Sequence, residues 1–192
     1  MILFDLGGVL IDTDFDRLAV LFPELDPVIL RTRWLDSPSV RQFELGLIEP
    51  TEFASRFIRE WALTISPDAF IELFTSWPDG PYPGARELVT LVRQKHRVGC
   101  LSNCNILHWE RFDAILPWFD QTYSSHLLGA IKPDAAIFHG VASLSGEAPR
   151  DIWLLDDSPS NVEAAQEAGF RSFLVQGVEQ TRTVLSEQGL ID

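Results

Sequence analysis

Met1-Ile2-Leu3-Phe4-Asp5-Leu6-Gly7-Gly8-Val9-Leu10 opens the chain, and its reading decides the fold. Ile2-Leu3-Phe4 is apolar at every position and stops abruptly at Asp5. A strand with one wet face alternates apolar and polar residues. A strand apolar throughout is covered on both faces, as in a parallel sheet. Leu6-Gly7-Gly8 then signals a turn. The same sentence is written three more times: Val98-Gly99-Cys100-Leu101 ends at Ser102-Asn103, Ile152-Trp153-Leu154-Leu155 at Asp156-Asp157, and Ser172-Phe173-Leu174-Val175 at Gln176-Gly177. Gln121-Thr122-Tyr123-Ser124 is a more polar fifth strand.

Helical patterns separate the strands. Residues 85–95 place Leu88, Val89, Leu91 and Val92 on one face, and residues 135–144 do so with Ile137, Phe138, Val141 and Leu144. Ser158-Pro159 starts another helix, Ser at the N-cap and Pro at the first turn, and Gly169 closes it. Alternating strands and helices predict an α/β fold with a doubly wound parallel sheet and right-handed crossovers. Residues 14–80 break the alternation. They read as helices over 15–22, 28–35, 40–45, 51–62 and 67–77, with Phe53, Phe57, Ile58 and Trp61 on one face. The Pro- and Gly-rich stretch 78–84 reads as a linker. The expected organisation is a core of residues 1–13 and 81–192 and an inserted helical segment of residues 14–80.

The bulk numbers narrow the function. With 15 Lys and Arg against 28 Asp and Glu, the net charge of −13 disfavours nucleic acid and anionic membranes as partners. It also repels anionic substrates, so a phosphate site here needs local cations. Cys100 and Cys104 lack further Cys or a His cluster at metal spacing, and read as free thiols. No signal-peptide pattern and no membrane-length apolar run is found, so a cytoplasmic, reducing location is expected.

Ligands of open α/β sheets bind beyond the carboxyl ends of the strands. Asp5, Ser102-Asn103 and Asp156-Asp157 all stand there, and Lys132 enters from a loop. Taken singly, each is an ordinary turn residue, helix cap or solvated charge. Together they make a site. Three carboxylates at one edge repel one another unless a hard cation such as Mg²⁺ joins them. A carboxylate nucleophile, a metal and a lysine are the parts needed for phosphoryl transfer.

In this order the motifs resemble those of the haloacid dehalogenase superfamily of hydrolases: Phe4-Asp5-Leu6-Gly7-Gly8-Val9-Leu10, Ser102-Asn103, Lys132-Pro133, and Asp156-Asp157 with Asn161. The resemblance implies a Rossmann-like core with a helical cap, and a magnesium-dependent phosphatase acting on a small phosphate ester. It implies Asp5 as nucleophile, with Ser102 and Lys132 as the other catalytic groups. It implies a metal held by Asp5, the Gly7 carbonyl and Asp157, with Asp156 in support. Ser102, Asn103, Lys132, Gly7 and His108 become the phosphate- or substrate-binding candidates.

One position departs from the family. Most of its phosphatases carry a second Asp two residues after the nucleophile, which protonates the leaving alcohol. Here that residue is Gly7, which has no side chain to do so. Asp12, Asp14 and His108 are candidate substitutes, against helix capping and surface charge for Asp12, Asp14 and Asp16 and packing for His108. The stretch from Phe4 to Val9, together with Ser102-Asn103-x-Asn105-x-x-His108, resembles a branch containing α-glucose-1-phosphate phosphatases, so a sugar phosphate leads the substrate expectations. Trp34, Arg41 and Glu44 are the cap residues considered for substrate contact, against packing and solvated charge. The alternatives are a 2-haloacid dehalogenase-like hydrolase, disfavoured by Gly7 and Asp156-Asp157, and a non-catalytic binding module. Either a monomer or a homodimer is compatible with the composition.

Overall fold

The structure, a computed structural model, describes residues 1–12 and 16–192. Its main sheet is parallel, in the order β5 (Gln121–Ser124), β4 (Val98–Ser102), β1 (Ile2–Phe4), β6 (Trp153–Asp156), β7 (Arg171–Leu174). β1 is central, with Ile2 level with Val98 on one side and Trp153 on the other. Successive side chains point to opposite faces. Ile2 and Phe4 therefore enter one core with α6 (Ala85–Arg93) and α11 (Gly177–Glu187), through Leu88, Val89, Val92 and Leu185. Leu3 enters the other, with Ile137, Phe138 and Val141 of α9 (Ala135–Ser145) and Ala165 of α10 (Pro159–Glu167). Gly99 is required by close approach. A Cβ there would stand 2.8 Å from both the Gln121 carbonyl and Leu3 Cδ2.

The stretch that breaks the alternation is helical: α1 (Asp16–Leu21), α2 (Pro27–Leu35), α3 (Pro38–Glu44), α4 (Pro50–Trp61) and α5 (Pro67–Thr75). α2 and α3 start one to two residues earlier than the apolar pattern suggests, because Pro27 and Pro38 occupy the first helical position behind Asp26 and Ser37 caps. The Asp26 carboxylate accepts the Val28 and Ile29 N–H groups, and Ser66 Oγ caps α5 through Ala69 N–H. Phe53, Phe57 and Trp61 of α4 pack with Phe43, Phe70, Phe74 and Trp77 into a separate aromatic core. Phe43 and Phe53 stack with their ring centres 4.3 Å apart.

Residues 78–84 are more than a linker. β2 (Ile11–Asp12) and β3 (Gly80–Pro81) pair antiparallel, and Asp79 and Tyr82 N–H groups bond the Asp12 and Leu10 carbonyls at 3.0 and 2.9 Å. The chain entering the helical segment and the chain leaving it are thus tied together. Two-residue strands carry no readable period, which is why the pairing is invisible in sequence.

Candidate active site

Five of the predicted groups, Asp5, Ser102, Lys132, Asp156 and Asp157, meet at the carboxyl ends of β1, β4 and β6. The buried Asp5 follows β1, and its Oδ1 accepts the Leu6 N–H at 2.7 Å and lies 3.1 Å from Lys132 Nζ. Lys132 is buried too. Its ammonium also donates to Asp156 Oδ2 at 2.6 Å and to the Leu101 carbonyl at 2.9 Å. Two of its donors are thus taken by hydrogen bonds, and Asp5 is held beside it as an ion pair.

Asp156 is fully buried and spent. Its Oδ2 takes Lys132, and its Oδ1 accepts Ser158 N–H and Asn161 Nδ2, each at 2.9 Å. It orients the lysine and the start of α10. Those bonds suit the supporting place beside the metal that the resemblance gives it. Asp157 is more open. It lies 3.8 Å from Arg31 of α2 and rests against Gly8, where any Cβ would collide with its Oδ2. Gly8 also has φ +70°, so two requirements converge on glycine there.

Carboxylate oxygens of Asp5, Asp156 and Asp157 all lie within 4.8 Å of one another. Burial pushes the Asp5 carboxyl up to about 7; Lys132 opposes this, while Asp156 and Asp157 add to it. Burial and Asp156 likewise raise Asp157. Burial pulls Lys132 down, but Asp156 and Asp5 together outweigh it and hold its pKa above the ordinary value. One ammonium thus faces three crowded carboxylates, and a hard divalent cation fits the remaining charge. Among the described residues, no backbone donor is bonded to the Gly7 carbonyl: the turn bonds go to Leu6 and Ile11 instead. Its carbonyl suits the same cation.

Ser102 ends β4 and is buried at the site. The Asn103 side chain holds a neighbouring segment in place. Its amide clamps the main chain of Lys132, Oδ1 accepting Lys132 N–H at 2.9 Å and Nδ2 donating to the Lys132 carbonyl at 2.8 Å. The Lys132-Pro133 peptide is cis. Asn103 positions the lysine, leaving its own backbone N–H as its anion donor.

His108 is corrected both as a phosphate ligand and as a substitute acid. It sits on α7 (Ile106–Trp109), with Nε2 2.8 Å from the Phe74 carbonyl and Nδ1 3.2 Å from Asn105 Nδ2. Both ring nitrogens are engaged. Burial lowers its pKa to about 4; the Phe74 carbonyl pulls it up and Arg111 down. It is a neutral link between core and cap. Asp12 lines the site cavity, whereas Asp14 and the side chain of Asp16 lie outside the described residues.

The cavity measures about 380 Å³ and opens between the sheet edge and the cap. Asp5, Ser102, Lys132 and Asp157 line one side, and Arg31, Trp34, Glu44 and Trp77 the other. Trp34 and Glu44 are therefore brought to the site. Arg41 is not: it pairs with Asp134 at 2.5 Å on the surface. Arg31, Trp77, Tyr82 and Gln176 also line the cavity and were missed. Arg31 was within reach of sequence reasoning, since it stands three residues before Trp34 on one helix face. Cys100 and Cys104 are buried free thiols, and burial pushes Cys100 up to about 12, so neither is a nucleophile.

Comparison with known proteins agrees with this geometry. Phosphatase MT3486 of Mycobacterium tuberculosis is 28% identical over 94% of this chain and 89% of its own length. The D-ribitol-5-phosphate phosphatase of Bacteroides thetaiotaomicron is 26% identical over 90% of this chain and 89% of its own. A HAD family enzyme of Bacteroides thetaiotaomicron, solved in complex with magnesium and inorganic phosphate, superposes with TM-score 0.76 at 28% identity, covering 91% of this chain and 93% of that one. A family model described as haloacid dehalogenase-like hydrolase matches residues 1–169, and the chain belongs to that family of hydrolases.

Proposed function

We propose that this hydrolase is a magnesium-dependent phosphatase of small phosphate esters, with Asp5 as its nucleophile. The observation that carries the reading is the Asp5–Lys132–Asp156 chain beside Asp157: a buried carboxylate steered by one ammonium, next to a second carboxylate with room for a cation. Asp5, Asp157 and the Gly7 carbonyl would hold the ion, which supplies Lewis-acid neutralisation of phosphoryl charge. Lys132 adds a fixed positive charge from beneath. Ser102 Oγ and the Asn103 N–H offer donors to the phosphoryl oxygens. Asp5 attacks phosphorus and forms an aspartyl phosphate as the ester oxygen departs. Water then attacks that phosphorus, releases phosphate and restores Asp5.

The substrate class we propose is a sugar or polyol phosphate. In support, the cap side of the cavity is not merely apolar. Arg31 and Glu44 stand beside Trp34 and Trp77 there. The mycobacterial and Bacteroides relatives are named as phosphatases, the latter for ribitol 5-phosphate. We assign residues 14–80 to the cap that covers this cavity, excluding water and selecting the leaving group. Buried, unreactive thiols suit a reducing cytoplasm, and no helix among the described residues is long and apolar enough to cross a membrane.

The test is phosphate release from a panel of sugar, polyol and aryl phosphates, with Mg²⁺ and with EDTA. Turnover is expected with Mg²⁺, abolished by EDTA and by Asp5→Asn. Turnover that survives both treatments, or none from a folded protein with Mg²⁺, overturns the reading.

A further inference from the structure

We infer that Glu44 is the general acid–base of this enzyme, supplying from the cap the proton that Gly7 cannot. The inference rests on the phosphatase reading above. Three observations carry it.

Glu44 lines the same cavity as Asp5, Ser102 and Lys132, but from α3, across from the nucleophile. In phosphoryl transfer the attacking and leaving oxygens lie roughly in line. With Asp5 attacking from the sheet side, the leaving oxygen is on the cap side, where Glu44 is. Among the described residues no hydrogen bond or ion pair engages its carboxyl, in contrast to Asp156, whose oxygens are all taken.

Glu44 is also fixed relative to the core. Its own carbonyl accepts Ser125 Oγ of α8 (Ser125–Leu128) at 2.6 Å. Two residues on, Gly46 has φ +70° and packs so tightly on the His126 carbonyl that a Cβ would come within 2.5 Å of that oxygen. The end of α3 is thus seated on the start of α8, which itself bonds Cys104 in the loop after β4.

Finally, its proton is held at working pH. Burial pushes the carboxyl up to about 7, with Lys132 and Arg41 opposing. An acid of that strength is half-protonated near neutrality, where a catalytic acid is most useful.

The steps balance. Asp5 Oδ bonds to phosphorus while the phosphorus–oxygen bond of the ester breaks, and the leaving oxygen takes the Glu44 proton and departs as alcohol. Glu44 carboxylate then takes a proton from water as the water oxygen bonds to phosphorus. The Asp5–phosphorus bond breaks, phosphate leaves, and Glu44 is protonated again.

The experiment compares an alkyl sugar phosphate, whose leaving group needs a proton, with 4-nitrophenyl phosphate, whose leaving group does not. Because kcat/KM reports steps up to departure of the alcohol, Glu44→Gln is expected to lose about 10²–10⁴-fold in kcat/KM on the sugar phosphate and less than about threefold on the aryl ester. Glu44→Ala is expected to recover activity on the sugar phosphate when formate is added, and on that ester alone. Equal losses on both esters, or no loss on either, overturn the assignment while leaving the phosphatase reading standing. No turnover of either ester by wild type overturns both. Circular dichroism and thermal melts of both variants separate loss of fold from loss of the proton.

Discussion

The sheet side and the cap side of the cavity are organised by different forces. On the sheet side, Lys132, Asp156, Asn161 and Asn103 are joined by directional bonds of 2.6–2.9 Å, and Asp5 pairs with Lys132 at 3.1 Å. On the cap side, Phe43, Phe53, Phe57, Phe70 and Phe74 pack ring on ring, and the polar groups reaching the cavity stand on the rim of that aromatic core. Bonds fix atoms to within tenths of an ångström, as a nucleophile and its counter-charge require. Apolar packing fixes a wall but leaves the choice of polar side chains on it open. The groups around Asp5 are thus fixed by the sheet, and the helical segment sets which polar side chains, Glu44 among them, face them across the cavity.

The comparison is broken most severely at Asp156. Replacing it with Ala strands a buried ammonium with Asp5 as its one remaining carboxylate, and removes the acceptor of Ser158 and Asn161. Breaking a buried pair in this way costs about 3–5 kcal/mol. Urea unfolding of Asp156→Ala is expected to show that loss, and one below about 1 kcal/mol would mean that the network does not hold the sheet edge.

His108 tests the joint between the two sides, since it bonds the cap through the Phe74 carbonyl. Its folded pKa of about 4 lies below the ordinary 6.5. Between those values the unfolded chain binds the extra proton. Stability contributed by the neutral ring is therefore full above pH 6.5 and lost as pH falls toward 4, by at most about 3 kcal/mol. The difference in stability between wild type and His108→Gln, followed from pH 8 to pH 4, is expected to shrink across that window. A difference that does not change with pH would show that the ring is already charged or already wet.

How much of this was legible follows the same division. Asp5, Ser102 and Asp156 announce themselves because strands buried on both faces end abruptly in a polar residue, and burial dictates that pattern locally. Lys132 was legible through its motif. The duties of Asn103 and His108 were not, because each is set by a backbone carbonyl or N–H from a distant segment, and main-chain partners leave no mark on composition. Glu44 was considered for substrate contact, against solvated charge, and not as an acid, for the same reason: what distinguishes it is the seat of α3 on Ser125 and His126. The β2–β3 ribbon is too short to carry a period at all.

That seat gives the third test. Gly46→Ala meets both a left-handed φ and the His126 carbonyl. The φ alone costs about 1–2 kcal/mol, and the collision must displace α3. Thermal melts are expected to show the loss. Activity on a sugar phosphate should fall further than activity on 4-nitrophenyl phosphate, because Glu44 is moved while Asp5 is not. Equal activities on the two esters would uncouple the seat from the acid.

The smallest effect is expected where cap and core touch by charge alone. Arg41 and Asp134 meet at 2.5 Å, but their side chains are 48% and 47% exposed. Water and salt screen such a pair, and ordering two long side chains offsets much of its attraction, leaving 0–1 kcal/mol at most. Arg41→Ala should therefore lower stability by less than about 1 kcal/mol, and the deficit should vanish in 1 M salt, where the Debye length is about 3 Å. A larger loss that salt removes would mean that α3 is held to the core by this ion pair and not by the backbone contacts at Ser125 and Gly46. The placement of Glu44 would then depend on ionic strength, and the sheet side alone would keep its geometry in high salt.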